Sequence, residues 1–323
     1  MAAPNLRNGI AMARALPTAL AALLYLALAT PARAGLLVLV HGYAGDPSSW
    51  DRSGVTAALE ARGYGRGGVL AAAPGGAVLQ PAPGTGAAAG GNTYYLAALP
   101  AQAPVMVQAA HLAAELALLR RLAPDLPLAL AGHSAGGVVA RSVLLGGNPW
   151  RVSTLITIAS PHLGTARALQ GLDAVEAKPF FCPGPGIDFL KNMVGGPAYD
   201  YLEHSRGLLL DLAPAAPGSF LDWLARQPHP DIRYVAVVRS GPAWPGDILV
   251  PAWSQDLNHV PALHGAASVV HTTAAHGLVP ADGALLADLL RDAEPAPPAP
   301  SAGDTGSRRG TAAPDREAAR LRI

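Results

Sequence analysis

Ser134 is the residue best placed for covalent chemistry, because it lies in the segment Gly132-His133-Ser134-Ala135-Gly136-Gly137. The short apolar run 126–131 before it favours a β-strand, and residues 137–145 after it favour a helix. Glycines two residues before and after a serine permit a tight strand-to-helix turn that holds the hydroxyl above the edge of a sheet. The pattern predicts a nucleophilic serine, and the alternative without catalytic function is an ordinary glycine-rich turn between a strand and a helix.

A serine hydroxyl is a weak nucleophile until a base accepts its proton. In the chain order Ser…Asp…His, the base follows the last strand of the sheet. His276 fits this position, since it follows the apolar run 267–273 and precedes the last predicted helix. The rival histidines are His259 and His264, in the preceding loop, and His271, inside the predicted strand.

The base needs a carboxylate that fixes its tautomer and stabilises the imidazolium. Asp247 is the expected acid, because its segment Gly246–Pro251 follows a predicted strand at 232–238. Asp256 is the rival, and a turn or cap residue is the structural alternative for either aspartate.

Attack on an acyl carbon also needs two N–H groups that stabilise the negatively charged oxygen. The N–H of Ala135, directly after Ser134, is one expected donor. The second is expected from Tyr43, in the segment His41-Gly42-Tyr43 after the apolar run 36–40, and its immediate neighbours stay open as alternatives. His41 is expected to hold this loop and not to act as a base.

Strand and helix patterns alternate between residues 35 and 292. The predicted strands are 36–40, 126–131, 152–159, 232–238 and 267–273, and the predicted helices are 55–62, 102–122, 137–145, 219–226 and 282–291. This alternation predicts an α/β fold with a mostly parallel sheet covered on both faces. Ligands of such sheets bind at the carboxyl ends of the strands, where the candidate residues stand.

Two segments depart from the alternation. Residues 65–91 are rich in Gly, Ala and Pro and are predicted to form a long loop near a binding cleft. Residues 165–219 concentrate aromatic side chains, among them Phe180, Phe181 and Tyr201. They are predicted to form a lid-like insertion, and the alternative is that these side chains only fill the insertion's own core.

Taken together, these motifs resemble the serine α/β-hydrolases, specifically their lipase-like branch of bacterial lipases and GPI-inositol-deacylase-like proteins. The similar segments are Val38–Tyr43, Gly132–Gly137, Ser160-Pro161-His162-Leu163-Gly164-Thr165, Ser219–Leu224 and Asp247–Pro251. The resemblance covers most of 35–292. It implies an α/β-hydrolase fold and ester hydrolysis through an acyl-enzyme, with Ser134, Asp247 and His276 as the catalytic triad. It also makes His162 structural.

The resemblance has departures. Leu278 stands where calcium-binding relatives carry an aspartate, so no metal and no other cofactor is expected. The same triad also serves amidases, thioesterases and acyltransferases, and a catalytically silent relative would be a binding or chaperone protein. The expected partner is an ester or lipid substrate. Contact with a lipid surface and the oligomeric state are left open.

Composition restricts the remaining function classes. The 323 residues carry 23 Lys+Arg and 22 Asp+Glu, a formal charge of +1, which argues against a nucleic-acid-binding protein. Cys182 is the single cysteine, so no intramolecular disulfide forms.

The two ends are expected to lie outside the fold. Residues 1–34 combine Arg7 and Arg14, an apolar run and the small-residue site Ala32-Arg33-Ala34, which is typical of an export signal. The protein is therefore expected in the periplasm or secreted, or membrane-anchored if the signal is not cleaved. Residues 293–323 are Pro/Ala-rich and then polar, which predicts a disordered tail.

Overall fold

An eight-stranded sheet forms the centre of the protein, in the order β3-β2-β4-β1-β5-β6-β7-β8. The computed structural model describes residues 35–82, 91–176, 196–240 and 246–291. The strands are β1 (Leu36–Val40), β2 (Gly65–Ala73), β3 (Gly76–Gln80), β4 (Thr93–Ala98), β5 (Leu128–His133), β6 (Val152–Ile158), β7 (Arg233–Arg239) and β8 (Ala267–Thr272). Neighbouring strands are parallel except β2 and β3, which pair antiparallel.

Helices cover both faces of the sheet. They are α1 (Ser49–Arg52), α2 (Val55–Glu60), α3 (Val105–Leu122), α4 (Ala135–Val143), α5 (Ala166–Glu176), α6 (Gly196–His204), α7 (Arg206–Asp211), α8 (Phe220–Arg226), α9 (Ala252–Gln255) and α10 (Pro280–Arg291). Two short 3₁₀ helices, Leu257–His259 and Pro261–Leu263, precede β8. The first core contains residues of α3, α4 and α8, and the second contains residues of α1, α2 and α10.

Strand β1 shows why a strand at the centre of this sheet is apolar throughout. Its five residues are all buried, with Val38 and Val40 in the first core and Leu37 and Leu39 in the second. A strand buried on both faces needs a continuous apolar run, because successive side chains point to opposite sides. The predicted α/β architecture with a mostly parallel sheet is confirmed.

The predicted long loop at 65–91 is wrong over most of its length. Residues 65–80 form β2 and β3 at the edge of the sheet, and residues 83–90 lie outside the described chain. The glycines suit close packing within a strand: a Cβ at position 67 would lie 2.2 Å from the ring of Tyr95. Gly68 has a φ of +130°, and the register between β2 and β4 shifts beside it. Glycine here marks a close approach and a bulge, not a loop.

The described part of the segment 165–219 contains the helices α5, α6 and α7, and irregular chain follows at 212–219. Phe180, Phe181 and the rest of 177–195 lie outside the described residues, so the expected aromatic lid is only partly visible. The expected signal at 1–34 and the expected tail at 293–323 also lie outside them. None of the described helices has both the length and the apolar character needed to cross a membrane.

Candidate active site

Ser134 occupies a strained turn between β5 and α4. Its φ of +51° and ψ of −127° lie outside the regions that L residues favour, a conformation that costs about 1–3 kcal/mol. The turn is held because the Ser134 N–H donates to the Ile158 carbonyl at 2.8 Å. A Cβ at Gly136 would lie 2.3 Å from the His41 carbonyl oxygen, so that position excludes a side chain. The surrounding backbone thus fixes the serine at the carboxyl end of β5.

His276 connects Ser134 with Asp247. Its Nε2 lies 2.9 Å from the Ser134 Oγ, and its Nδ1 lies 2.8 Å from the Asp247 Oδ2. A carboxylate accepts, so Nδ1 carries the hydrogen and Nε2 offers its lone pair to the serine hydroxyl. The three side chains, from the ends of β5, β7 and β8, form a continuous chain of hydrogen bonds.

The Asp247 side chain is buried and accepts hydrogen bonds from four donors, one of which is His276. The backbone N–H groups of Leu249 and Val250 both donate to Oδ1 at 2.7 Å, and Gln255 Nε2 donates to Oδ2 at 3.1 Å. Burial by itself raises the pKa of Asp247, but the hydrogen bonds from His276, Val250 and Leu249 outweigh it and leave this pKa below its usual value. The carboxylate is therefore ionised at neutral pH.

The rival residues have other partners. His271 lies in β8, with its Nδ1 2.9 Å from Ser240 Oγ. Asp256 accepts from the Asn258 N–H at 2.8 Å and so caps a 3₁₀ helix, at 3.7 Å from His259. His264 contacts the Asn258 carbonyl at 3.0 Å. Neither Asp256 nor these histidines form a hydrogen bond with Ser134 in the described chain.

The loop after β1 lies directly against the serine. A Cβ at Gly42 would be 2.9 Å from the Ser134 Cβ, which leaves room only for glycine. His41 accepts from the Leu99 N–H at 3.2 Å through Nε2, so its Nδ1–H donates to the Gly42 carbonyl at 3.1 Å. Burial lowers the pKa of His41, and backbone groups occupy both of its ring nitrogens, which suits a residue that holds this loop.

This anchoring determines where the Tyr43 N–H points. In a trans peptide the carbonyl and the following N–H point in opposite directions. His41 holds the Gly42 carbonyl, so the Tyr43 N–H is directed away from His41. Ala135 begins α4, and the first N–H groups of a helix lack intrahelical acceptors. Tyr43 and Ala135 thus stand on the two segments that border Ser134.

Sequence reasoning missed two residues that touch the triad. His133 Nε2 donates to the backbone carbonyl of His276 at 2.8 Å, and burial lowers the pKa of His133 to about 4. Gln255 contacts Asp247 from α9. His133 stood inside the serine motif, where its type could have drawn attention. No sequence pattern points to Gln255, because no motif around it indicates a contact with Asp247.

His162 is fully buried away from the triad. Its Nε2 lies 3.1 Å from Thr157 Oγ1, and its N–H donates to the Ser254 carbonyl at 2.8 Å. These contacts fit the expected structural role. Within the described residues, no group of three or more His, Cys, Asp or Glu side chains could hold a metal ion.

A cavity of about 330 Å³ borders the acid segment and not the serine. Its walls include Asp247, Leu249, Arg167 and Trp253. Ile248 and Trp253 beside it are 72% and 51% exposed.

Comparison with known proteins agrees with this architecture. Residues 118–174 match the family model described as the PGAP1-like alpha/beta domain. A search of curated proteins gave no match.

Solved structures show the same fold at low identity. The mature lipase BlEst2 of Bacillus licheniformis is 16% identical, with a TM-score of 0.51 over 80% of this chain and 93% of that chain. Its propeptide form is 15% identical, with a TM-score of 0.53 over 84% and 53%. The type II thioesterase YbtT of the yersiniabactin pathway is 16% identical, with a TM-score of 0.48 over 81% and 94%. The likeness to the two BlEst2 structures shows that this chain has the α/β-hydrolase fold.

Proposed function

We propose that this protein is a serine hydrolase that cleaves carboxylic esters, with lipase-like or esterase-like substrates. The observation that carries the proposal is the hydrogen-bonded chain from Ser134 Oγ through His276 to the ionised Asp247, at 2.9 and 2.8 Å. A strained serine hydrogen-bonded to an imidazole, which is in turn hydrogen-bonded to a buried carboxylate, is the arrangement that nucleophilic catalysis by serine uses.

The reaction follows from the roles of these groups. Ser134 Oγ attacks the acyl carbon as His276 Nε2 accepts its proton, and the carbonyl electron pair moves onto the oxygen. The N–H groups of Tyr43 and Ala135 stabilise that oxyanion. Its collapse breaks the ester C–O bond, and His276 protonates the leaving alcohol. Water, deprotonated by His276, then attacks the acyl-enzyme and releases the carboxylic acid and the free Ser134 hydroxyl.

We further propose that the insertion at 165–219 is a lid over an apolar acyl-binding region. Supporting this, the Tyr201 ring of α6 lies 5.3 Å from the Tyr43 ring on the oxyanion loop. The exposed Ile248 and Trp253 at the acid segment give an apolar surface near the insertion.

Ester hydrolysis is tested with p-nitrophenyl esters from C2 to C16. The substitution Ser134→Ala is expected to lower kcat by at least about 1000-fold and leave the protein folded, because the nucleophile is lost. Ser142→Ala, the same change within the helix that follows Ser134, is the matched control with retained turnover. Unchanged hydrolysis by Ser134→Ala would refute the triad.

The chain-length profile and a fluorophosphonate probe separate the remaining functions. Rates that rise to C16 support a lipase, and rates confined to C2–C4 support a small-ester esterase. A wild-type protein that labels at Ser134 but leaves every ester intact would point to amide, thioester or acyl-transfer chemistry. Absence of both labelling and hydrolysis would point to a binding or chaperone role.

We also propose that the protein is exported and that residues 1–34 are removed. The support is the sequence of this segment, with its arginines, apolar run and Ala32-Arg33-Ala34. Expression of the full sequence in a bacterial host should give a periplasmic or secreted product whose first residue is Gly35. An intact first segment on membranes would indicate an anchor, and one in the cytosol would refute export.

A further inference from the structure

Gln255 lies behind the carboxylate of the proposed triad and is almost completely buried. Its Nε2 donates to the Asp247 Oδ2 at 3.1 Å and to the Val250 carbonyl at 2.8 Å. Its Oε1 accepts from the Arg239 N–H at 2.8 Å. One amide side chain therefore joins the end of β7 to both ends of the acid segment.

The surroundings of Gln255 fix the orientation of its amide. Two acceptors face one end of the side chain, and a backbone donor faces the other end. A flipped amide would bring its oxygen against the Asp247 carboxylate and its NH₂ against the Arg239 N–H, losing all three hydrogen bonds. Nε2 is thus committed to the carboxylate.

The oxygen that Gln255 contacts is the one that His276 uses. Asp247 Oδ2 accepts from Gln255 and from His276 Nδ1, while Oδ1 accepts from the backbone of Leu249 and Val250. The two backbone donors restrain Oδ1 only. The Gln255 donor adds a restraint on Oδ2 and so holds that oxygen towards the imidazole.

Arg239 extends this support to the segment that carries the base. Its buried guanidinium pairs with Asp282 through two contacts of 2.8 and 2.9 Å. The same group donates to the Gly277 carbonyl at 3.4 Å, directly after His276. The backbone of Arg239 thus holds Gln255 while its side chain holds the loop of the base.

We propose that Gln255 is a positioning residue for catalysis, which fixes Asp247 Oδ2 against His276 Nδ1 from the scaffold supplied by Arg239. The inference rests on the proposed hydrolase function and adds to it a residue outside the triad. Gln255 touches neither substrate nor Ser134, so its effect is transmitted through Asp247.

The test compares Gln255→Met with the matched control Gln108→Met. Methionine keeps the length of the side chain and removes the donor. Gln108 is equally buried, and its amide donates to the Ala103 carbonyl at the start of α3. We expect Gln255→Met to lower kcat by about 10- to 100-fold with KM within about 2-fold, since misplaced catalytic groups slow chemistry more than binding. Gln108→Met should keep the wild-type kcat.

A second readout does not depend on turnover. The His276 Nδ1 proton should give a downfield proton NMR signal, assigned by its loss in His276→Ala. In Gln255→Met this signal should shift or broaden, and in Gln108→Met it should not. If methionine prevents folding, Gln255→Asn replaces it, because asparagine is one methylene shorter and cannot keep the contacts with both Asp247 and the Arg239 N–H.

The outcomes distinguish the two proposals. A wild-type protein without hydrolysis or fluorophosphonate labelling refutes the hydrolase function, and the NMR signal still decides whether Gln255 positions Asp247. An active wild type with unchanged kcat and an unchanged signal in Gln255→Met overturns only the positioning role. Equal losses in Gln255→Met and Gln108→Met would also overturn it, because they would reflect general destabilisation.

Discussion

At the scale of single residues, the proposed base His276 lies beside groups whose charge follows from their surroundings. Asp247 is ionised because its hydrogen bonds outweigh the effect of burial on its pKa. Burial lowers the pKa of His41, and lowers that of His133 to about 4, so both rings are neutral at neutral pH. Both rings donate to backbone carbonyls, and it is His276 whose Nε2 lies 2.9 Å from the Ser134 Oγ.

This arrangement predicts the effect of removing the His133 donor. His133→Phe keeps an aromatic ring but loses the hydrogen bond to the His276 carbonyl. We expect kcat to fall about 2- to 10-fold, the equivalent of one neutral hydrogen bond of about 0.5–1.5 kcal/mol. Ester hydrolysis by the variant, normalised to fluorophosphonate-labelled protein, measures this. His111→Phe on α3 is the control, and equal activity of the two variants would contradict a positioning role for His133.

At the scale of elements, the central strands could be predicted from the sequence. Strands β1, β5, β6 and β7 are largely buried, and β8 is a partly exposed edge strand, but the sequence pattern predicts each of the five within about two residues of its bounds. The chain order Ser…Asp…His then points to one residue after each of three strands. These residues are Ser134, Asp247 and His276. These signals are local in sequence, which is why sequence alone carries them.

Neither strand β2, near the edge of the sheet, nor the contact of Gln255 with Asp247 could be predicted from local sequence patterns. Strand β2 is built from Gly and Ala, whose fit depends on the Tyr95 ring of a different strand. Strand β4 (Thr93–Ala98) was overlooked, although its Tyr94 and Tyr95 favour a strand. Gln255 acquires its role from Arg239 and Asp247, which are 16 and 8 residues away. Such contacts arise only when the chain is folded.

At the scale of the whole molecule, the first core contains an ionisable group outside the site. Glu115 of α3 is fully buried, and within the described part of the chain neither of its carboxyl oxygens has a donor in full hydrogen-bonding geometry. Burial raises the pKa of Glu115 to about 9, and the nearby N–H groups of Ala98 and Ala72 counter this only in part. The folded protein therefore keeps Glu115 protonated at neutral pH, while the unfolded chain releases the proton near pH 4.5.

This difference makes the stability of the whole protein depend on pH. Between about pH 4.5 and 9 the unfolded chain has lost the proton that the folded protein retains, so the free energy of unfolding falls as pH rises, by up to about 1.4 kcal/mol per unit. A glutamine at this position cannot ionise, so in Glu115→Gln this contribution to the fall in the free energy of unfolding with pH is absent. Denaturant unfolding should give similar stabilities for variant and wild type at pH 4.5 and a growing advantage of the variant towards pH 8. The exposed Glu203→Gln should show no such trend, and a constant difference between Glu115→Gln and wild type across this range would show that Glu115 ionises normally.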